Sequence, residues 1–311
     1  MTAGMFRVAA HSFGPPSRVL QYEPAPKPAI DPGAVLVRML ASPINPSDLI
    51  PVAGAYPHRT ALPFVPGFEG VGLVEEVGAD VDPAAVGRRV LPLGSAGGWQ
   101  TWKALPADWC VEAPADIEDE AAAVAYINPL TAILMLRRAR LQPGDRVGVN
   151  AANSTIGRML LRVAAAAGAR PIAIVRSEAA REAMCGEPAE VFLEGAALPP
   201  LAAGFDAVGG TAGASLAHGV KPGRPLLHYG LLSNQPLVDT GQAKLTLFRL
   251  RDWVHAAPRQ DLYAAMNQAF AEIRSGRAAS AIAARYPLAA FHDALAHDAR
   301  PGRRGKILLQ L

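Results

Sequence analysis

The most regular pattern of hydrophobic and polar positions lies between residues 144 and 177. A short strand-like run at 146–151 is followed by turn and N-cap residues at 153–155, and apolar residues then recur at helical spacing. Gly168 ends this helix, and the apolar run at 171–175 is typical of a strand buried in a parallel sheet. The pattern predicts a strand–helix–strand (βαβ) unit, in which a helix N-terminus can bind a pyrophosphate.

The turn of this unit carries a degenerate form of the glycine fingerprint G-x-G-x-x-G, which binds dinucleotides. The matching segment is Ala152-Asn153-Ser154-Thr155-Ile156-Gly157, and it keeps only the last of the three glycines. Side chains at 153–155 can offer donors where glycines would let the backbone approach. The alternative is an ordinary βαβ crossover without a ligand.

The residue after the second strand bears on the choice of cofactor. An acidic residue there would bind a ribose 2′-hydroxyl, whereas an arginine pairs with a 2′-phosphate. Arg176 occupies this place, 19 positions after Gly157, close to the usual spacing of about 20. Its place and charge favour NADPH, and a solvated surface arginine is the alternative.

The remainder of the chain divides into a β-rich part and a mixed part. Before residue 120, short apolar runs are separated by Pro and Gly clusters, and the strands predicted there include 34–40, 70–77 and 89–93. A helical pattern follows at 117–139, and Asn128-Pro129 is predicted to break it into two helices.

The later pattern completes a predicted α/β fold. Strands are expected within 205–210, 225–232 and 306–311, and a helix is expected over 261–273. We predict a β-rich domain at 1–120, a doubly wound parallel sheet domain at 121–260, and a segment at 261–311 that returns to the first domain.

Composition and charge narrow the class of protein. The 311 residues suffice for two domains, and a net charge of +3 without a long basic run gives no indication of nucleic acid binding. We expect no membrane span, because no apolar stretch reaches about 18 residues, and no signal peptide, because the N-terminal segment has no apolar core. Two cysteines, Cys110 and Cys185, are too few for a disulfide framework, so a cytoplasmic protein is expected.

Several segments resemble the medium-chain dehydrogenase/reductase superfamily. Ile44-Asn45-Pro46-Ser47-Asp48 is similar to its zinc-free branch, where zinc alcohol dehydrogenases would carry a cysteine ligand. Pro66–Gly72 is similar to the G-H-E-x-x-G segment, but Phe68 replaces the histidine ligand. The resemblance implies a Rossmann domain, a GroES-like catalytic domain and no catalytic zinc.

Within that branch, the mitochondrial-type trans-2-enoyl-thioester reductases are most similar. Four segments carry this resemblance: Gly54–Pro57, Asn128–Ala132, Ala152–Gly157 and Val208–Gly210. It implies NADPH-dependent reduction of an activated double bond, with Tyr56 as the catalytic residue that donates a hydrogen bond or a proton. A turn tyrosine packed on the surface is the alternative for Tyr56.

The resemblance also implies contacts with the cofactor and the substrate. Cofactor contacts are expected at residues shared with relatives or at strand ends: Asn45, Thr131, Asn153, Ser154, Thr155, Ile156, Gly157, Arg176, Gly209, Gly210, Tyr229 and Lys306. Aromatic residues of an acyl channel match Phe248 and Trp253. Arg249 stands where a tryptophan is usual, and it either faces solvent or pairs with an acidic group of a short or polar substrate.

The functional alternatives that remain belong to two classes. An NADPH:quinone or enone oxidoreductase shares the same chemistry, and a non-catalytic NADPH-binding protein would share only the cofactor. The expected partners are a small-molecule enoyl thioester, enone or quinone, and a second copy of the chain in a homodimer formed by joining Rossmann sheets.

Overall fold

A computed structural model describes residues 4–300 and 302–311, and the packing of the chain divides it into two compact units. Unit 1 contains the described residues of 1–127, 257–266 and 280–311, and unit 2 contains 128–256 and 267–279. These limits differ from the predicted boundaries at 120 and 260. The segment 267–279 groups with unit 2, and its apolar residues Ala269 and Phe270 are buried.

Short strands and helices alternate along both units. In chain order, the strands of the described residues are β1 Phe6–Ala10, β2 Leu20–Pro24, β3 Ala34–Pro43, β4 Val71–Val77, β5 Arg89–Pro92, β6 Trp102–Pro106, β7 Cys110–Glu112, β8 Arg146–Val149, β9 Arg170–Val175, β10 Glu190–Leu193, β11 Ala203–Asp206, β12 Pro225–His228, β13 Lys244–Leu247, β14 Ile282–Pro287 and β15 Lys306–Gln310. The corresponding helices are α1 Pro16–Val19, α2 Pro46–Val52, α3 Asp119–Ala123, α4 Ile127–Ala139, α5 Thr155–Ala166, α6 Glu178–Glu182, α7 Gly210–Gly219, α8 Leu250–Ala256, α9 Arg259–Arg274 and α10 Phe291–Asp298.

Unit 1 is built on a mostly antiparallel sheet. Its strand order is β14-β15-β3-β4-β5-β7, with β6 paired to β3 and a separate β1–β2 pair. Strand β15 therefore lies in the interior of the sheet, where Ile307 and Leu309 are fully buried together with Trp99 and Phe291. Burial of such large apolar side chains contributes about 1.5–3 kcal/mol each to folding.

Unit 2 contains a six-stranded sheet in the order β10-β9-β8-β11-β12-β13, and all neighbouring strands are parallel. Strands β8 and β9 flank helix α5, as predicted from the pattern at 144–177. The structure confirms the predicted fold class, an α/β chain with a Rossmann-like parallel sheet and a β-rich unit. In an open parallel sheet, ligands bind where the carboxyl ends of the strands emerge.

The predicted helix break at Asn128-Pro129 is wrong. The chain leaves the helical conformation earlier, at residues 124–126, and Asn128 and Pro129 lie in the first turn of α4. A first turn accepts proline because the missing N–H would have no acceptor within the helix. Among the described residues, none of the helices is both long enough and apolar enough to cross a bilayer.

Candidate active and cofactor-binding sites

The turn between β8 and α5 provides an anion-binding helix N-terminus in unit 2. Ser154 is the N-cap residue, and its Oγ accepts a hydrogen bond from the Gly157 N–H at 3.1 Å. The N–H groups of Thr155 and Ile156 have no acceptor within the helix. Together with the helix dipole, they favour a negatively charged group in front of the turn.

Gly157 allows this helix to pack closely against the end of β8. A Cβ atom added at Gly157 would lie 2.7 Å from the carbonyl oxygens of both Ala151 and Ala152. Any other residue would push the helix away from the strand, so the retained third glycine of the fingerprint has a packing role. Asn153, beside it in the turn, is exposed.

Arg176 lies at the same edge of the sheet, directly after the neighbouring strand β9. Its side chain is exposed, and within residues 4–300 and 302–311 it forms no ion pair. The guanidinium is therefore free to pair with an anionic ligand. This position is the one at which an arginine selects a ribose 2′-phosphate.

A buried polar network supports the next strand ends and was not predicted from the sequence. Asp206, fully buried at the end of β11, accepts hydrogen bonds from the N–H groups of Val208 (3.0 Å) and Gly209 (3.1 Å) and from the amide of Asn150. Its other oxygen lies 2.7 Å from Nδ1 of His228, at the end of β12. Asn150, Asp206 and His228 end or follow three strands that the sheet order makes neighbours.

This network positions the two glycines that were predicted to contact the cofactor. Gly209 and Gly210 have φ angles of 71° and 54°, and Gly209 is the N-cap of α7. A Cβ atom at Gly209 would lie 2.5 Å from the carbonyl oxygen of Gln235. Both the backbone conformation and the close approach therefore require glycine here.

Tyr229 carries a buried hydroxyl group at this edge that could bind a polar ligand. Its hydroxyl oxygen is buried, and within the described part of the chain it has no hydrogen-bond partner. Burial, with a smaller contribution from Asp206, raises the pKa of Tyr229, so the phenol stays neutral and can donate a hydrogen bond. An unpaired buried hydroxyl costs about 1–3 kcal/mol, which a polar ligand would recover.

Unit 1 contains a second buried polar cluster, formed by Asn45, Asp48, Glu69 and Lys306. The Asn45 amide donates to Glu69 Oε1 at 2.8 Å and accepts a hydrogen bond from the Lys306 ammonium. The carboxyl oxygens of Asp48 accept hydrogen bonds from the backbone N–H groups of Asn45 and Phe68, each with an N···O distance of 2.8 Å. Glu69 also accepts the Ile127 N–H at 2.7 Å. The orientation of the Asn45 side chain is thereby set by its neighbours.

The charges of this cluster are coupled by burial. Burial raises the pKa of Asp48 to about 7 and also raises that of Glu69, although Lys306 opposes the shift of Glu69. Burial lowers the pKa of Lys306, and the two carboxyl groups oppose that shift. The ammonium compensates the buried carboxylates, which otherwise would be strongly destabilising. Asn45 and Lys306, both predicted cofactor contacts, are thus neighbours, whereas Asp48 and Glu69 were not predicted as site residues.

Tyr56 lies in unit 1 on the turn before a short 3-10 helix at Pro57–Arg59. Its side chain is 37% exposed, and the Arg59 guanidinium carbon stands 4.1 Å from the ring centroid. This cation–π contact holds the ring while leaving it accessible. Thr131, in contrast, is buried within helix α4 of unit 2.

The zinc ligands of related dehydrogenases have no counterpart in the cluster around Asn45. Phe68 offers no ligand atom, and Asp48 uses both carboxyl oxygens for backbone N–H groups. Across residues 4–300 and 302–311, no three His, Cys, Asp or Glu side chains are arranged to hold a metal ion. Zinc independence itself stays a prediction.

The segment predicted to line an acyl channel follows β13 in unit 2. The Arg249 side chain is 61% exposed, and its Nε lies 2.9 Å from Asp252 Oδ2. The Arg249 side chain is thus exposed and paired within its own segment, and its role toward a substrate stays a prediction. Phe248 and Trp253 line a pocket together with five cationic side chains, a lining that does not suit a purely apolar acyl chain.

Comparison with known proteins shows similarity over the whole chain. Residues 31–115 match the family model of the alcohol dehydrogenase GroES-like domain. The mitochondrial enoyl-[acyl-carrier-protein] reductase of Mus musculus is 30% identical over 96% of this chain and 87% of the relative. Sequence similarity therefore extends through both units.

Solved structures agree with this result. A Bacillus thuringiensis protein provisionally called an NADPH:quinone reductase is 32% identical, with a TM-score of 0.94 and full coverage of both chains. A mycobacterial protein in complex with NADPH is 25% identical, with a TM-score of 0.87 over 99% of this chain and 100% of that one. The cofactor of that complex is the one that Arg176 favours.

Proposed function

Because the chain belongs to the zinc-free branch of the medium-chain dehydrogenase/reductase superfamily, with the mitochondrial enoyl-[acyl-carrier-protein] reductases, we propose that it reduces the double bond of a 2-enoyl thioester. The protein is an NADPH-dependent oxidoreductase. The observation that carries the proposed substrate class is the similarity to the mouse reductase, which covers 96% of the chain.

The carboxyl edge of the unit 2 sheet fits NADPH. The N-terminus of α5 would hold the pyrophosphate, Arg176 the 2′-phosphate, and the backbone at Gly209–Gly210 permits close approach. Tyr229 has a buried hydroxyl that needs a partner. When bound, NADPH supplies the hydride.

The remaining task of the chain is to supply a proton. Hydride addition at the β-carbon breaks the C=C π bond and leaves an enolate with negative charge on the thioester oxygen, and a proton at the α-carbon completes the saturated product. A hydroxyl that donates to the developing charge lowers the barrier. The accessible Tyr56 on its proline-bounded turn supports this role.

The proposal is tested with purified protein, NADPH and crotonyl-CoA, by following NADPH oxidation and identifying butyryl-CoA as the product. A parallel assay uses a quinone, because the structural relative at 32% identity is named for quinone reduction. Turnover of the quinone alone would favour that second function.

A series of enoyl substrates with acyl chains of about 4 to about 16 carbons tests how apolar the acyl pocket is. Each CH₂ buried in an apolar channel would contribute roughly 0.8 kcal/mol to binding. We expect no steady rise of kcat/KM with length.

We expect preference for NADPH over NADH to depend on Arg176. A charge-assisted contact is worth about 1.5–3 kcal/mol, so Arg176→Ala should weaken NADPH binding at least about tenfold and leave NADH binding unchanged. Dissociation constants from fluorescence titration provide the measurement. The matched control is Arg170→Ala, an exposed arginine at the opposite end of the same strand. Equal binding of both cofactors by the unmodified protein would contradict the role of Arg176.

We propose that catalysis needs no zinc. Phe68 stands where a histidine ligand would be required, and the Asp48 carboxylate is engaged by two N–H groups. Elemental analysis should find no stoichiometric zinc, and treatment with a chelator should leave enoyl reduction intact. One tightly bound zinc ion per chain, lost together with activity, would refute this proposal.

A cytoplasmic homodimer is also proposed. The two cysteines are free thiols, which supports a reducing compartment.

Strand β13 lies at the edge of the unit 2 sheet, and its Leu245 and Leu247 side chains are 42% and 66% exposed. Such an edge can pair with a second copy of the chain. Sedimentation velocity should therefore give twice the chain mass.

A further inference from the structure

A pocket of about 700 Å³ in unit 2 has its cationic residues away from the cofactor edge of the sheet. It extends from the C-terminal end of α4 across the amino-terminal ends of β12 and β13 to Trp253 in α8. Amino and carboxyl ends of parallel strands emerge at opposite edges of a sheet, so Arg224 and Lys244 lie away from Ser154 and Gly209. The cationic side of the pocket is therefore separate from the residues proposed to bind NADPH.

The pocket is strongly cationic. No acidic residue lines it. Five basic side chains do: Arg137, Arg138, Arg140, Arg224 and Lys244. The C-terminal end of α4 contributes only about half a negative charge. The summed charge therefore attracts an anion that carries several negative charges.

Three of these cations have no internal partner. Arg137 donates to Gln268, and Arg224 contacts the Ala202 carbonyl at 2.9 Å and Asp145 at 3.4 Å. Arg138, Arg140 and Lys244 are exposed and form no ion pair within the described portion of the chain. Their mutual repulsion is unrelieved in the free protein, so an anionic ligand would gain from all three.

The conformation of Arg140 supports a role for its charge. Its φ angle is +50°, at the position after the helix where glycine is usual. A β-carbon is unfavourable in this left-handed conformation. The chain nevertheless places a guanidinium there, beside the other cations of the pocket.

The remaining wall of the pocket is apolar and aromatic. Leu134 and Phe248 are buried, and the half-buried Trp253 presents a ring suited to stacking on a planar group. Arginine and lysine bind phosphate groups, and the volume lies in the range of small-molecule sites. We propose that this pocket binds a nucleoside diphosphate group, with its phosphates on the cations and its base against Trp253.

Two sources share this chemistry: a free nucleotide and the nucleotide end of coenzyme A. The experiment is isothermal titration calorimetry on the full chain carrying one NADPH per chain and no excess, with ADP, coenzyme A and pyrophosphate as separate titrants. We expect one ADP per chain. Tighter binding of coenzyme A would identify the carrier as the source, and equal or weaker binding would identify the free nucleotide.

Three variants test the assignment. Arg140→Gly removes the charge while suiting the left-handed backbone, so the fold is retained, and ADP affinity should fall at least tenfold. Trp253→Leu should weaken ADP but leave pyrophosphate unchanged, and the exposed Arg170→Gln is the control. Absence of ADP binding in the presence of NADPH would overturn the proposal, as would equal affinity in all three variants. None of these readouts depends on the proposed enoyl reduction.

Discussion

Replacing Tyr56 by phenylalanine should lower kcat for enoyl reduction by roughly 10²–10⁴-fold and leave the affinity for NADPH unchanged. The substitution removes one hydroxyl and almost no volume. Since the side chain is 37% exposed and its ring is held by Arg59, loss of the hydroxyl leaves the turn intact. The expected effect thus falls on the transition state and not on the fold.

Steady-state kinetics with crotonyl-CoA, combined with a direct titration of NADPH, separates these two quantities. Tyr22→Phe is the matched control, because Tyr22 is a tyrosine of unit 1 with 38% exposure and lies in a different strand. Its kcat should equal that of the unmodified enzyme. Unaltered turnover in the Tyr56 variant would show that water or another side chain donates the proton.

Replacing Glu69 by alanine should reduce the free energy of unfolding by about 3–5 kcal/mol, because it removes one of the two carboxyl groups that compensate the buried Lys306 ammonium. The change also removes the acceptor of the Ile127 N–H and of the Asn45 amide. Urea unfolding followed by circular dichroism measures the loss. Glu75→Ala, which removes only an exposed ion pair with Arg38, should cost no more than about 1 kcal/mol.

A second variant separates charge compensation from packing. In Glu69→Ala combined with Lys306→Met, no ammonium remains buried in this cluster, so the double variant should lose less stability than the sum of the two single variants. Additive losses would show that Glu69 and Lys306 do not compensate each other. Activity assays on the same proteins would show whether the orientation of Asn45 matters for NADPH binding.

Local pattern sufficed for the elements whose cause is local. The hydrophobic residues of 146–175 follow the spacing of a strand, then of a helix, then of a second strand. Ser154 and Gly168 delimit the helix, as expected for an N-cap residue and a C-terminal glycine. The predicted helix break at Asn128-Pro129 was wrong because a proline can either interrupt a helix or stand in its first turn. Only the surrounding chain decides between them.

Site residues with distant partners were beyond prediction. Lys306 was expected by resemblance to contact the cofactor, but nothing in the sequence indicated that Asn45, 261 positions away, accepts its hydrogen bond. Arg249 was assigned by resemblance, and its actual partner is Asp252, one turn along α8. The Asp206 network needed knowledge that β8, β11 and β12 are neighbours, which the sequence pattern does not contain.

The interior position of β15 has a consequence for synthesis on the ribosome. Strand β3 is complete by residue 43, yet its neighbour β15 begins only at Lys306. The long loop between them must close before the sheet of unit 1 is continuous, and such non-local pairing is slow. Unit 2 draws most of its residues from the single stretch 128–256 and can fold while the chain is still emerging. Until β15 arrives, residues 41–43 of β3 lack their strand partner and the core residues that pack on Ile307 and Leu309 stay uncovered, so nascent chains expose part of the unit 1 core until translation is nearly finished.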